Sequence, residues 1–392
     1  MRSILTPRLA LLALAHLTID AYSSFFSPLL PLLVHKLGLN LTRVGALVAL
    51  ASVTGSFGQP LFGLFSDRLR RPWFVACGPV VAAVLMSSIG LAPDFRSLVA
   101  LLMLGGLGVA AFHPQAAAIA GELSPRRGLA MSVFVTGGTL GFSLGPLMAV
   151  GVVGAFGLGR SWLAVVPGLL MASFLGPAFL RPGPAPRERV RARAPLAGLR
   201  PVAWPLGLLY AIVVSRSAVS YGFMTFLSLH LTHQGFGVGQ AGAMVTAYLA
   251  AGAVGGFFGG WLADRWGGRR VVLVSFVGAA PLYLGYLFLP VGPGLVCLVL
   301  GGFVLQSSLP VNVVLGQELS PPHASTISSL LMGAAWGVGA LLVGPVGALA
   351  DAHGLRAALL ALSTMLGLGL ACAIALPASR RAAIPWRTPE PA

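Results

Sequence analysis

Two short stretches, GLFSDRLRRP at residues 63–72 and GWLADRWGGRR at residues 260–270, place one carboxylate among several arginines between long apolar runs. The chain has nine acidic residues in 392, and two of them, Asp67 and Asp264, lie 197 positions apart in these stretches. Self-similarity at a fixed spacing indicates an internal repeat. The two stretches therefore predict a chain built from two related halves.

The composition predicts an all-α integral membrane protein. Apolar residues make up 57% of the chain and charged residues 9%, with a mean hydropathy of +0.90, whereas a soluble domain carries about 25% charged residues. A run of roughly 20 apolar residues can cross a ~30 Å hydrocarbon core, and a helix satisfies its own backbone hydrogen bonds there. Twelve such runs, numbered helix 1 to helix 12, are predicted at 9–33, 44–65, 72–92, 96–121, 128–155, 161–180, 203–230, 239–262, 270–290, 294–318, 324–350 and 354–377.

Other landmarks repeat at nearly the same spacing. Glu122 and Glu318 each begin a Glu-Leu-Ser-Pro segment, and Pro114 in helix 4 corresponds to Pro310 in helix 10; both pairs are 196 positions apart. Because each half has an even number of helices, both halves enter the membrane from the same side. The sequence predicts two pseudo-symmetric six-helix bundles related by an axis along the membrane normal.

The predicted domains are a bundle at 1–180, a basic cytoplasmic linker at 181–202, and a second bundle with a short cytoplasmic tail at 203–392. The net charge of +16 arises mostly from arginines in short loops that face the cytoplasm when both termini are cytoplasmic, as the positive-inside rule requires. We therefore expect a multi-pass protein of the bacterial cytoplasmic (inner) membrane. The expected partners are the lipid bilayer, protons and a small-molecule substrate, with no nucleic acid, and the expected state is a monomer.

The repeated acidic and basic loops resemble the signature of the major facilitator superfamily, G-x-x-x-D-R/K-x-G-R/K-R/K. Arg70 and Pro72 depart from this pattern in the first copy. The resemblance implies a gate that closes the cytoplasmic side in the outward-facing state, whereas the simpler alternative is a pair of loops that only fix the topology. The residues of this predicted cytoplasmic gate are Asp67, Arg68, Arg71, Glu122, Asp264, Arg265, Arg269, Arg270 and Glu318.

Two charges fall deep inside predicted helices, where ionisable residues are costly and commonly functional. Asp20 lies midway along helix 1 and Arg216 midway along helix 7, 196 positions apart. In a major facilitator fold both helices line the central cavity. We expect Asp20 to be the protonatable carrier, with Arg216 either pairing with it or binding an anionic part of the substrate. A static ion pair that holds the helices together is the alternative.

Two histidines are candidates to share this role. His16 precedes Asp20 by one helical turn, so the two share a helix face. His113 lies about 14 Å inside helix 4, counted at 1.5 Å per residue from its end, and Pro114 bends the helix beside it. His113, next to Gln115, is predicted to relay protons or to bind a phosphonate-like group; the alternative is a histidine bonded to the carbonyl that the proline frees.

The helix 4 and helix 5 sequences resemble the fosmidomycin resistance protein family of bacterial drug exporters. The resemblance is carried by Phe112-His113-Pro114 and by the helix 5 residues Gly137, Gly138, Gly141, Ser143, Gly145 and Pro146. Gln115 replaces a glutamate of that family, and Arg216 stands where a lysine is expected. The resemblance implies proton-coupled export of a small molecule or drug.

The sequence leaves several functions open. The leading one is a proton-coupled antiporter that works by alternating access; the alternatives are a proton-coupled uptake symporter of a small polar or anionic metabolite, and a lysophospholipid transporter. A membrane-embedded acyltransferase, suggested by the His16-x-x-x-Asp20 spacing, lacks a nucleophile arrangement. No cofactor and no metal are predicted, and no nucleotide-binding glycine-rich loop occurs. The predicted cavity residues are His16, Asp20, Tyr22, Phe26, His113, Gln115, Arg216, Tyr221 and Phe223.

Overall fold

The computed structural model describes residues 6–66, 69, 71–123, 127–180 and 196–377. All regular structure in these ranges is helical. Twelve helical spans are long and apolar enough to cross a membrane, and the prediction of twelve helices is confirmed. The spans are Pro7–Leu37, Leu41–Gly63, Trp73–Leu91, Phe95–Glu122, Ala130–Phe156, Leu158–Phe179, Ala197–His233, Val238–Trp266, Gly268–Phe288, Val291–Leu319, Thr326–His353 and Leu355–Ala375, and we keep the numbers helix 1 to helix 12 for them.

In the first half, polar side chains mark where helices begin. Thr6, Asn40 and Asp94 each accept a hydrogen bond from a backbone N–H of the first turn that follows, which is the N-cap arrangement that satisfies otherwise unpaired donors. Helices 1 and 2 are interrupted near residues 24–26 and 56–57. The helical segments are Pro7–Ser23, Ser27–Leu29, Leu30–Leu37, Leu41–Gly55, Gly58–Ser66, Trp73–Ser87, Ser88–Leu91, Phe95–Glu122, Arg127–Phe156, Leu158–Val165 and Val166–Phe179.

In the second half, helices 10 and 11 are interrupted within the membrane-spanning range. Helix 10 breaks at Ser307, and helix 11 contains a π-helical turn at Leu330–Ala334. Residues 196–202 of the predicted linker form a 3₁₀ helix, and the rest of that linker lies outside the described residues. The helical segments are Leu196–Val202, Ala203–His233, Val238–Trp266, Gly268–Phe288, Val291–Gln306, Ser308–Leu319, Pro321–His323, Ala324–Ser329, Leu330–Ala334, Ala335–Leu341, Val343–His353 and Leu355–Ala375.

The helices pack in pairs that recur six helices later. Helix 1 packs on helix 5 and helix 7 on helix 11, while helix 3 packs on helix 4 and helix 9 on helix 10. Across the halves, helix 2 packs on helix 11 and helix 5 on helix 8. The predicted domain boundaries at 1–180, 181–202 and 203–392 stay a prediction.

The two halves are joined at one end of the bundle, which we call the outer-loop face and define by the loops at 38–40, 92–94, 234–237 and 289–290. Here the carboxylate of Asp351 in helix 11 accepts hydrogen bonds from the N–H groups of Leu41 and Thr42, at 2.8 and 2.7 Å, and from the Thr42 hydroxyl at 2.6 Å. An acid of one half thus caps the first turn of helix 2 in the other half, where the helix dipole favours a negative charge.

Helices 1 and 7 are also linked near the outer-loop face. The Ser27 hydroxyl donates to the Met224 carbonyl, and the Ser228 hydroxyl donates to the Ser27 carbonyl at 2.9 Å. Helix 2 lies so close to helix 11 that a Cβ added at Gly45 would lie 2.6 Å from the Val343 carbonyl oxygen. The structure is therefore a conformation in which the halves are closed together at the outer-loop face.

Candidate functional site

Three side chains from helices 1 and 4 converge on one point inside the first half. His16 Nε2 lies 3.2 Å from Asp20 Oδ2, His113 Nε2 lies 3.2 Å from Asp20 Oδ1, and the two Nε2 atoms are 3.2 Å apart. The spacing of four residues on helix 1 brings His16 and Asp20 onto one face, and helix 4 supplies His113 at the same depth. We call these three residues the His–Asp–His cluster.

The two imidazole rings are held by backbone carbonyls on their other nitrogens. His16 Nδ1 donates to the Phe134 carbonyl and His113 Nδ1 donates to the Val109 carbonyl, each at 2.8 Å. The His16 ring also stacks on the Phe134 ring, with centroids 4.0 Å apart. Because a carbonyl can only accept, both Nδ1 atoms carry a proton. Both Nε2 atoms, which carry a lone pair in the neutral ring, point at Asp20.

Close packing of helix 5 on helix 1 shapes this cluster. A Cβ added at Gly138 would lie 2.7 Å from Asp20 Oδ2 and still closer to His16 Nε2, and one at Gly141 would meet the Leu17 carbonyl. Small residues let helix backbones approach closely in membrane bundles. Two of the glycines that the sequence analysis singled out therefore leave the room that the cluster occupies.

The cluster is only partly buried. The side chains of Asp20 and His113 are 16% and 22% exposed, and that of His16 is 8% exposed. In the part of the chain that the structure describes, these three residues are also the ones whose ligand atoms are grouped closely enough to hold a metal ion. Chemically, the arrangement can bind a cation, and the smallest such cation is a proton.

Arg216, the second deeply placed charge, lies in helix 7 and is 2% exposed. Its Nη1 donates to Gln306 Oε1 at 2.6 Å and its Nη2 donates to the Ser217 hydroxyl at 3.2 Å, while the guanidinium lies 5.1 Å from the centroid of the Trp336 ring. In this conformation Arg216 and Asp20 form no ion pair with each other, and Asp20 contacts the two histidines instead.

Gln306 and Trp336 are not among the site residues predicted from the sequence. Gln306 is the last residue of Val291–Gln306, directly before the break in helix 10, and Trp336 follows the π-helical turn of helix 11. The available signal was an amide side chain in the middle of an otherwise apolar helix. No sequence pattern that we recognise marks a π-helical turn.

Contacts within a single half are made by four other predicted cavity residues, Tyr221, Tyr22, Phe223 and Gln115. Tyr221 is partly buried and lies edge-on to Trp336, with centroids 6.3 Å apart. The Tyr22 hydroxyl donates to the Ala164 carbonyl, and Phe223 packs on Tyr283. Gln115 accepts from the Val75 N–H and donates to the Ser66 hydroxyl, and Phe26 is buried in the apolar core.

Helix geometry explains these placements. Two positions along a helix rotate a side chain by about 200° around its axis. Tyr22 follows Asp20 by two positions, Gln115 follows His113 by two, and Phe223 follows Tyr221 by two. They therefore face away from the cluster or from Trp336 and into the packing of their own half.

The predicted cytoplasmic gate lies only partly within the described residues. Asp67 and Arg68 lie outside the described residues. Within the described ranges, Asp264 and the two glutamates form no ion pair, and Arg269 donates to the Ile374 carbonyl at 2.8 Å. The described gate residues that are exposed are Arg71, Glu122, Asp264, Arg265, Arg270 and Glu318. A gate that closes the opposite face in another conformation is still a prediction.

Comparison with known proteins identifies the relatives of this chain. The sequence model of the Major Facilitator Superfamily matches residues 12–344. The uncharacterized MFS-type transporter YfnC of Bacillus subtilis (strain 168) is 30% identical over 96% of this chain and 94% of its own length. The fosmidomycin resistance protein of Escherichia coli (strain K12) is 28% identical over 88% of this chain and 86% of its own length.

Solved structures share the fold. A bacterial homologue of the human lysosomal transporter Spinster, in an inward-facing and unoccupied conformation, superimposes with a TM-score of 0.79 at 16% identity and covers 94% of this chain and 96% of its own. The nucleoside transporter NupG superimposes with a TM-score of 0.70 at 16% identity, over 95% of this chain and 98% of its own.

Proposed function

Since this chain belongs to the Major Facilitator Superfamily, we propose that it is a proton-coupled secondary transporter that exports a small molecule by alternating access. Membership in the family means that the chain is a membrane transporter of small molecules. The proton, the direction and the residues are the proposed part, and they rest on the His–Asp–His cluster.

One observation carries the proposal: three hydrogen-bond acceptors face one another at 3.2 Å. With both Nδ1 atoms bonded to carbonyls, a neutral histidine offers a lone pair at Nε2, and a carboxylate only accepts. Three acceptors at such distances repel one another unless at least one proton lies between them. The proposed cluster therefore holds at least one transported proton, shared between Asp20 and an Nε2 atom.

The proton is expected to control the closure of the halves through helix 1. Asp20 precedes Ser27 by seven residues, or roughly 10 Å of helix rise, and Ser27 is the residue that joins helix 7 near the outer-loop face. Loss of the proton would drive Asp20 and the two histidines apart and move helix 1 against helices 4 and 5. In the proposed cycle this movement favours opening of the outer-loop face, as alternating access requires.

Export is favoured over uptake by the family resemblance of helices 4 and 5 and by the relative that is named for fosmidomycin resistance. Uptake of a polar or anionic metabolite is the second candidate, because the buried cation of Arg216 would suit such a substrate. The same fold serves both directions, so an experiment must separate them.

The test is a drug-susceptibility panel that includes fosmidomycin, in an efflux-deficient bacterial host. Cells that make the wild-type chain are compared with cells that make Asp20→Asn or Asp94→Asn at equal membrane abundance. Asp94→Asn is the matched control: it makes the same acid-to-amide change at an N-cap of helix 4, and asparagine caps helices as well as aspartate does.

Export predicts that the wild-type chain and Asp94→Asn raise the tolerated concentration of at least one compound, and that Asp20→Asn does not. Full protection by Asp20→Asn would contradict the proton role of the cluster. Greater sensitivity and greater compound accumulation in cells that make the wild-type chain would contradict export and support uptake.

A further inference from the structure

We propose that Arg216, Gln306 and Trp336 form a binding site for an oxyanion, so that the substrate class is small molecules that carry a carboxylate, phosphate or phosphonate beside a flat apolar group. This inference rests on the proposed transport function, since it names the cargo of that function. We call these three residues the arginine site.

The charge of Arg216 is the first argument. The residue is 2% exposed and lies in the middle of a membrane-spanning helix. Within the described ranges no carboxylate lies within 4.0 Å of it, and its partners Gln306, Ser217 and Trp336 are all neutral. Buried charges are normally paired with an opposite charge, because burial without one is costly. An anion bound at this point would supply the missing charge.

The unused hydrogen-bonding capacity of Arg216 is the second argument. A guanidinium has five N–H donors in a fixed plane, which matches the oxygens of a carboxylate or phosphate. One donor is bonded to Gln306 and one to Ser217, whereas the buried Nε–H has no acceptor. Since buried donors are almost always satisfied, the Nε–H marks a position for an oxygen that arrives with a ligand.

The backbone around the arginine site is the third argument, and it is independent of the charge. Gln306 ends the first segment of helix 10, and Trp336 follows the π-helical turn at Leu330–Ala334. Substrate sites in transporters are typically formed by interrupted helices, and π-helical turns occur frequently at functional sites. Two interruptions therefore supply two of the three residues of this site.

The aromatic neighbours define the rest of the substrate. The Trp336 ring lies 5.1 Å from the guanidinium, and Tyr221, which is partly buried, lies edge-on to Trp336. Aromatic walls beside one or two polar anchors are typical of small-molecule sites. In this conformation Asp20 is occupied by the two histidines, so the oxyanion does not compete with it for the arginine.

The test measures thermal unfolding of the purified full chain in detergent, without a pH gradient. The probes are phenylphosphonate, benzoate and inorganic phosphate, with neutral benzyl alcohol for comparison and a lysophosphatidate to represent an anionic lipid headgroup. The variants are Arg216→Gln and Arg216→Lys. Arg356→Gln is the matched control, because Arg356 also lies over an aromatic ring, that of Phe288 at 4.8 Å, but outside the arginine site.

Phenylphosphonate or benzoate is expected to raise the melting temperature of the wild-type and Arg356→Gln proteins, and benzyl alcohol is not. Arg216→Gln should bind the anions at least about tenfold more weakly, as follows from losing a hydrogen bond to a charged group. Arg216→Lys keeps the positive charge but lacks the planar set of N–H donors, so its anion affinity should lie between those of the wild-type and Arg216→Gln proteins. A larger shift from the lysophosphatidate than from the soluble anions would assign the oxyanion to a lipid.

Equal anion shifts in the wild-type and Arg216→Gln proteins would overturn the inference. Equal shifts from benzyl alcohol and phenylphosphonate, or no shift from any anion in the wild-type protein, would do the same. The two proposals fail separately, because the arginine site is tested by anion binding without a pH gradient and the proton role is tested by transport. Failure of anion binding therefore contradicts only the arginine site, and transport by Asp20→Asn contradicts only the proton role.

Discussion

Replacing Asp351 by alanine is expected to open the outer-loop face. In the structure this carboxylate accepts two backbone hydrogen bonds, from Leu41 and Thr42, and one from the Thr42 hydroxyl. All three cross from helix 11 of one half to helix 2 of the other. These hydrogen bonds exist only while the halves are together at this face. Their loss therefore destabilises the closed conformation and leaves the open conformation unaffected.

The magnitude follows from the kind of contact. Removing a side chain that caps a helix N-terminus costs about 0.5–2 kcal/mol. Asp351 is exposed, and exposed charges are screened by solvent, so we expect about 1–2 kcal/mol rather than the sum of three charged hydrogen bonds. That free energy corresponds to a factor of roughly 5–30 in the ratio of open to closed molecules.

Distances between paired spin labels measure this ratio. The labels are placed at His35 in helix 1 and His353 in helix 11, which are exposed residues of different halves at the outer-loop face. The native cysteines Cys77, Cys297 and Cys372 are free thiols and are replaced by serine first. We expect the population of the longer distance to rise by the factor above in Asp351→Ala protein.

Asp94→Ala is the matched control for this measurement. Asp94 also caps a helix near the outer-loop face, but it accepts from the Ser97 N–H at 2.8 Å within the same half. Its replacement should leave the distance distribution unchanged. An unchanged distribution in Asp351→Ala, or an equal change in Asp94→Ala, would refute the reasoning that the contact between halves holds this face closed.

Three further predictions concern other residues. Gly138→Ala should abolish protection in the susceptibility panel, because its Cβ would lie 2.7 Å from Asp20 Oδ2. Gly151→Ala, with open space around it, should protect normally. Equal protection by both variants would contradict this prediction. Hydrogen bonds from the side chain and backbone of Ser97 lower the pKa of Asp94 below its ordinary value of 3.8. The ionised Asp94 carboxylate therefore stabilises the protein above pH 3.8, and this contribution is lost as the pH falls through the lowered pKa. The difference in melting temperature between the wild-type and Asp94→Ala proteins should narrow over that fall in pH. A constant difference would contradict the assignment. Gln115→Ala should lower stability by about 1–3 kcal/mol because a buried N–H loses its acceptor, as thermal unfolding can measure, and should still protect cells from the same compounds.

Much of the fold could be predicted because apolar run length is a strong signal in membrane proteins. The twelve helical spans follow from that signal. His16 and Asp20 could be placed on one face because both belong to one helix, and the depth of His113 could be counted from the end of helix 4. Their meeting at 3.2 Å required the packing of helices 1, 4 and 5, which no residue spacing specifies.

The parts that could not be predicted depend on rotation around helices and on contacts between halves. The chemistry of Tyr22, Gln115 and Phe223 predicts that they line the cavity, but the structure turns each of them into the packing of its own half. In the sequence Asp351 is only an acidic residue near the end of helix 11, and its role in capping helix 2 becomes visible only when the two helices are packed together. Trp336 reaches Arg216 after a π-helical turn, whose position depends on tertiary packing.

The central claim is that a proton is shared within the His–Asp–His cluster, and ¹⁵N NMR of histidine-labelled protein tests it most directly. Signals of His16 and His113 are assigned with His16→Gln and His113→Gln variants. The account predicts a proton on Nδ1 of both rings and, at neutral pH, an additional proton on Nε2 of one ring that disappears in Asp20→Asn protein. Two neutral rings protonated on Nε2, or spectra unaffected by Asp20→Asn, would contradict it.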